Sequence, residues 1–173
     1  MGNKNFKELY SPQASESKHF FATVQNKLHF AITGKTAAEI VSNRANSKKE
    51  KMGLTSWRRS PSGKIMPSDV SIAKNYLNKK ELTHLNRIGN MYLDYAELQA
   101  ARARAMTMKD WVKKLNAFLK FSEYEILTNA GKISHEVAEA LALKEYETFR
   151  KIQDKSYISD FDKIVKKCNR NIT

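Results

Sequence analysis

One four-residue signal recurs along this chain and constrains its fold more than any other feature. Thr36-Ala-Ala-Glu39, Asn78-Lys-Lys-Glu81 and Thr107-Met-Lys-Asp110 each set a hydroxyl or amide side chain three residues ahead of a carboxylate. In a capping box the first side chain accepts a hydrogen bond from the third helical amide, and the carboxylate reaches back to the first residue's own N–H. Three helix starts are therefore written into the sequence, and Ser134 supplies a fourth cap. Only 3 prolines and 6 glycines interrupt 173 residues, so helix is favoured over sheet. A chain of this length holds a core without staples. The expectation is an all-α fold: a single multi-helix domain over residues 1–155, of about five to seven helices, followed by a polar, partly helical tail over 156–173.

Apolar spacing fills in the helices. Phe21, Val24, Leu28 and Ala31, widened by Phe20 and Ile32, form a stripe from Ser17 to Ile32 that stops at Gly34. A short helix then runs to about Ala45. Ser68 and Asp69 open another over Val70 to Leu77. The helix after Asn78 carries Leu82, Leu85, Gly89, Tyr92 and Ala96 on one face, with Ile88 and Tyr95 beside them, and continues through QAARARA. Gly89 in its interior costs about 1 kcal/mol relative to alanine, which points to a close helix crossing. Trp111, Leu115, Phe118 and Leu119 line the next helix, a shorter segment ends at Gly131, and Val137, Leu141, Tyr146 and Phe149 face inward on the last.

The net charge of +13 is unevenly placed: residues 1–66 carry 12 basic and 4 acidic side chains. Lys48, Lys49, Lys51, Arg58, Arg59 and Lys64 crowd one stretch opposed by Glu50 alone. Residues 46–67 lose all helical periodicity and read as a long basic loop, with a turn at Ser60-Pro-Ser-Gly63 that would suit a small hairpin. Several cations around Trp57 meet the needs of a nucleic-acid contact, in which the ring either stacks on a base or braces the loop. The plain alternative is a solvated loop with Trp57 turned into the core. DNA or RNA is the expected partner. An acidic protein surface, or the domain that precedes this one in longer relatives, is the other.

Catalytic motifs are sparse. His19, His29, His84 and His135 lack partners at metal-ligand spacing, no GxSxG is present, and the lone Cys168 sits near the polar terminus. ITGKTAAE echoes a phosphate loop without its first glycine or preceding strand. No metal and no cofactor is expected. One constellation stands out. Lys27, His29, Lys35, Thr36, Glu39 and Arg44 gather around the bend at Gly34, with Gln25 and His29 on a face opposite the apolar stripe. His29 and Glu39 are candidates for acid–base work on a phosphate-bearing substrate, and Lys35, Thr36 and Arg44 for holding its anion. Asp69, Lys74 and Tyr76 would join them if the basic loop folds back over the first helices. Against this, capping explains Glu39, a surface hydrogen bond His29, and an ion pair Arg44. The sequence does not decide whether the chain is an enzyme. No apolar run approaches the ~20 residues of a membrane helix, and neither a secretory signal nor an internal disulfide is written here, so the expected location is cytoplasmic.

FFATVQNKLHFAITGKTAAEIVSNRAN, MGLTSWRR, SDVSIAKNYLNKKELTHLNRI, YLDYAELQA, MKDWVKKLNAFLKF and GKISHEVA follow one another in an order that resembles the RhuM virulence protein family. The resemblance spans about residues 5–155. It implies a virulence-associated protein akin to those of mobile elements, in which this helical part follows an amino-terminal half similar to phage-type DNA-binding or regulatory domains. It brings no catalytic residues with it. KLHFAITGKTAAE and MGLTSW are the segments it marks as hallmarks.

Overall fold

A computed structural model describes residues 15–158 and 164–165. Among them are six α-helices and no strand: α1 (Ser15–Thr33), α2 (Ala37–Arg44), α3 (Pro67–Val70), α4 (Lys79–Ala101), α5 (Met108–Phe121) and α6 (His135–Ser156), with 3-10 turns at Glu50–Gly53 and Ala73–Tyr76. The all-α expectation holds. Apart from 156–158 and 164–165, the polar tail lies outside the described residues, as does Cys168.

The capping boxes form as read. Thr36, Asn78 and Thr107 accept from the amides of Glu39, Glu81 and Asp110, whose carboxylates return to the cap amides, and Ser134 accepts from Val137. Two apolar clusters result. One gathers Ile88 and Tyr92 of α4 and Leu115 and Leu119 of α5, with Val24, Leu28, Ala31 and Ile32 of α1 against them. The Tyr92 hydroxyl donates to the Trp111 carbonyl at 2.7 Å, and burial pushes its pKa up to about 12. The other gathers Ile40 and Val41 of α2, Met52, Leu54, Trp57 and Ile65 of the 46–67 loop, Val70, Ala73, Tyr76 and Leu77, and Ala138, Ala142 and Tyr146 of α6.

Six expectations are corrected. The helix expected from Val70 to Leu77 is broken at Ser71 and Ile72, because the Asn75 amide donates to the Asp69 carbonyl and the Tyr76 hydroxyl to that of Val70. Those carbonyls are then occupied by side chains. The long helix stops at Ala101 and does not run through QAARARA: Ala103 turns left-handed and the Arg104 amide reaches the Gln99 carbonyl, a Schellman ending without its usual glycine. Between Ser122 and Ser134 no helix forms. On α6 Ala138 and Ala142 face inward together with the expected Tyr146, while Val137 and Leu141 are 54% and 46% exposed. Phe21 is likewise exposed on α1, and no hairpin forms in the loop.

Candidate functional site: an anchored basic loop and a histidine cavity

The 46–67 loop is ordered by what it buries. Met52, Leu54, Trp57 and Ile65 all enter the core of α2 and α6, and Trp57, 7% exposed, donates its indole N–H to the Gly63 carbonyl at 2.7 Å. Trp57 thus braces the loop, and the stacking half of its sequence reading is not met by a ring so buried. Polar clips complete the anchoring. Glu145 of α6 accepts from the Ser47 amide at 2.6 Å. The Gln153 side-chain amide pairs with both N–H and C=O of Ile65, at 2.8 and 3.1 Å. Asp69 accepts from the amides of Arg58 and Met66, and Thr55 and Ser56 donate to the Asn75 carbonyl.

Lys51, Met52 and Gly53 have φ of 52°, 59° and 83°, three successive left-handed residues. Non-glycine residues pay roughly 1–2 kcal/mol each for that conformation. Complete burial of Met52 and hydrogen bonds from its amide to Lys49 and from the Leu54 amide to Lys51 hold it. Gly53 is required here, since a Cβ would stand 2.5 Å from the Arg44 carbonyl oxygen.

The cations lie outside this frame. Lys48, Lys49, Lys51, Arg58 and Arg59 are exposed. Lys51 approaches Glu50 at 3.4 Å and stands 5.7 Å from the Trp57 ring, and Lys64 is tied to Asp154 at 2.7 Å and to the Tyr157 ring. Lys48, Lys49, Arg58 and Arg59 have no ion pair among the described residues. Glu145 is engaged by Ser47, whose hydrogen bonds hold its carboxyl below the usual range, and the Lys48 charge acts on it in the same direction without forming an ion pair. Beside the loop, Lys79, Lys80, Thr83, His84 and Arg87 line a shallow groove of about 370 Å³ on α4, two residues beyond the Leu77 carbonyl that Thr55 caps. Sequence reasoning passed over this stripe, although Lys80, His84 and Arg87 stand at one-face spacing.

The constellation at the Gly34 bend does not assemble. Arg44 makes a bidentate pair with Glu81, 2.7 Å at each oxygen, and donates to the Tyr76 carbonyl. Glu39 accepts from the Lys132 and Thr36 amides, which hold its carboxyl below its ordinary pKa. A carboxylate so engaged is a poor proton acceptor. Thr36 is buried as the cap, Lys35 is half-buried, and Lys27 donates to the Leu127 carbonyl at 2.8 Å. Asp69 and Tyr76 serve loop and core. His29 differs: it is 8% exposed and lines a cavity of about 730 Å³ that contains none of Glu39, Arg44, Asp69 or Tyr76. The face assigned to it as a surface is interior. Lys74, which also lines the cavity, is the one residue of the second group to come near it.

Among the described residues, no group of three His, Cys, Asp or Glu side chains gathers as a metal site, and no helix is long and apolar enough to cross a membrane. What the geometry defines is an all-helical domain that holds an irregular basic loop against α2 and α6. The profile of the Virulence protein RhuM family matches residues 7–158, and the chain belongs to that family. Searches of curated proteins and of solved structures return no match.

Proposed function

We propose that this domain is the nucleic-acid-associated, regulatory module of a mobile-element or virulence-island protein, and that the basic loop meets the phosphate backbone. The observation that carries this reading is the pairing of a rigidly anchored loop with cations that no ion pair among the described residues ties down. Lys48, Lys49, Arg58 and Arg59 are exposed and unpaired, on a segment whose left-handed turn and four buried anchors fix its shape. Fixing the loop in advance lowers the ordering cost of binding. Phosphate contacts of this kind position a chain without reading sequence, so the expected binding is sequence-tolerant. Trp57 acts by bracing, and the groove of Lys79, Lys80, His84 and Arg87 extends the cationic surface. Lys51 and Lys64, each held in an ion pair, contribute less.

The test is titration of labelled mixed-sequence DNA and RNA at low salt with the native chain and with Lys48→Glu/Lys49→Glu/Arg58→Glu/Arg59→Glu. The native chain is expected to bind, and the variant, with an unchanged melting temperature, to lose binding at least tenfold. Absence of binding at low salt, or equal binding by the folded variant, overturns the reading.

A further inference from the structure

The His29 cavity lies between α1, α2, the Ser71–Lys74 segment, α4 and the start of α6, and none of the loop's cations lines it. Two observations mark it as more than a packing gap. The first is the ring itself. His29 Nδ1 stands 2.8 Å from the Gln25 carbonyl oxygen, which only accepts, so Nδ1 carries the proton and Nε2 presents a bare lone pair. That Nε2 has no hydrogen-bond partner. Leaving a buried polar atom unmatched is costly, and native folds keep few such atoms. Burial pushes the ring's pKa below the ordinary histidine value and the Lys74 ammonium adds to this, against the pull of the Gln25 carbonyl.

The second is Gly89. It sits mid-way along the 23-residue α4 and lines the same cavity, yet a Cβ built on it meets nothing within 4 Å. The close crossing expected at this glycine does not exist. Alanine would strengthen the helix there without a clash, so packing does not explain the glycine, and the open space in front of it is what remains. On either side of it on α4, Asn86 and Asn90 line the rim of the cavity as solvent-exposed side-chain amides with no partner among the described residues. Lys74, across from them, has no ion pair among the described residues. Glu139, the only carboxylate in the lining, stands 3.8 Å from His135.

We infer that this cavity is a binding site for a small phosphate ester, with the phosphate at Lys74 and the Asn86 and Asn90 amides and the buried His29 ring in the wall beside it. Its volume is that of a small-molecule site. A lysine ammonium acts as a point charge, and no arginine fork is present to select a planar carboxylate. Leu28, Ile72 and Leu85 supply the apolar wall for the ligand's body. The inference is independent of the loop reading.

The experiment is calorimetric titration of the full chain with AMP, UMP, ribose 5-phosphate and glucose 6-phosphate at millimolar concentration, with adenosine and ribose as phosphate-free controls. It is run beside Gly89→Leu, which fills the space, and Lys74→Ala. Imidazole ¹⁵N NMR follows Nε2. Binding of a phosphate ester, loss of at least tenfold without the phosphate or in Lys74→Ala, no binding to a Gly89→Leu variant that melts no lower than the native chain, and a shift of the Nε2 resonance together support the site. Nucleotides alone binding makes the ligand a nucleotide; the sugar phosphates alone binding makes it a sugar phosphate. No phosphate ester binding, or equal binding by Gly89→Leu, overturns it.

Discussion

The two cores of this domain are built by different means. Around Ile88, Tyr92, Leu115 and Leu119, packing is helix against helix, and every buried side chain comes from a repeating stripe. Around Met52, Leu54, Trp57 and Ile65, the core is filled from irregular chain, and polar side chains of α6 and Asp69 hold the backbone where no ladder does. The difference shows where this protein has spent conformational strain: the regular core supports, and the irregular one holds a charged segment in a fixed shape. Functional chemistry gathers where backbone is fixed against its own preference.

Substitutions that sharpen this contrast differ in size. Trp57→Ala is expected to cost about 3–5 kcal/mol, and Leu115→Ala about 2–5 kcal/mol, in denaturant unfolding. Only the first should also remove nucleic-acid binding under conditions where both variants remain folded. Arg44→Ala leaves Glu81 without its partner and the Tyr76 carbonyl without a donor, for a loss of roughly 1–3 kcal/mol. Gly53→Ala sets a Cβ against the Arg44 carbonyl and is expected to cost about 1–3 kcal/mol, whereas Gly89→Ala in the other region should gain up to about 1 kcal/mol. Two glycines, one required and one not, thus give opposite signs by thermal melting.

Acid titration separates further groups. The folded pKa of Glu39 and of Glu81 lies below 4.5, so their stabilisation is complete above that value and is lost as pH falls through the lower folded values. His29 is also depressed, from 6.5, so the unfolded chain takes up its proton first and stability declines as pH falls below about 6.5 toward the folded value. His29→Gln should flatten the melting-temperature profile in the upper window and leave the lower one, and Glu39→Gln should do the reverse.

Much of the fold was legible because helix starts are local chemistry. Thr36, Asn78, Thr107 and Ser134 each announce a helix that forms. The ends were harder, since Ala103 and Glu123 adopt the left-handed conformation that glycine usually marks. On α6 Tyr146 and Phe149 pack inward as expected, but in its first half bulky Val137 and Leu141 outweighed the alanines at 138 and 142, which lie buried against α2 and the loop. Met52, Leu54, Trp57 and Ile65 follow no period, so their common burial was not written in any spacing. The loop's charge was plain from composition, but which cations stay unpaired depended on Asp154 and Glu145, some ninety residues away in sequence. At the bend, His29 and Glu39 looked alike as candidates, and only the fold shows Glu39 consumed by amides and His29 with a buried, unpartnered nitrogen in the wall of a cavity.

The most direct test of the anchored loop is the salt dependence of its nucleic-acid affinity. With Lys48, Lys49, Arg58 and Arg59 each displacing counterions, the slope of log K against log salt is expected to be steeper than that of the four-fold charge-reversal variant by about 3–4. Identical slopes for the two proteins would contradict the account.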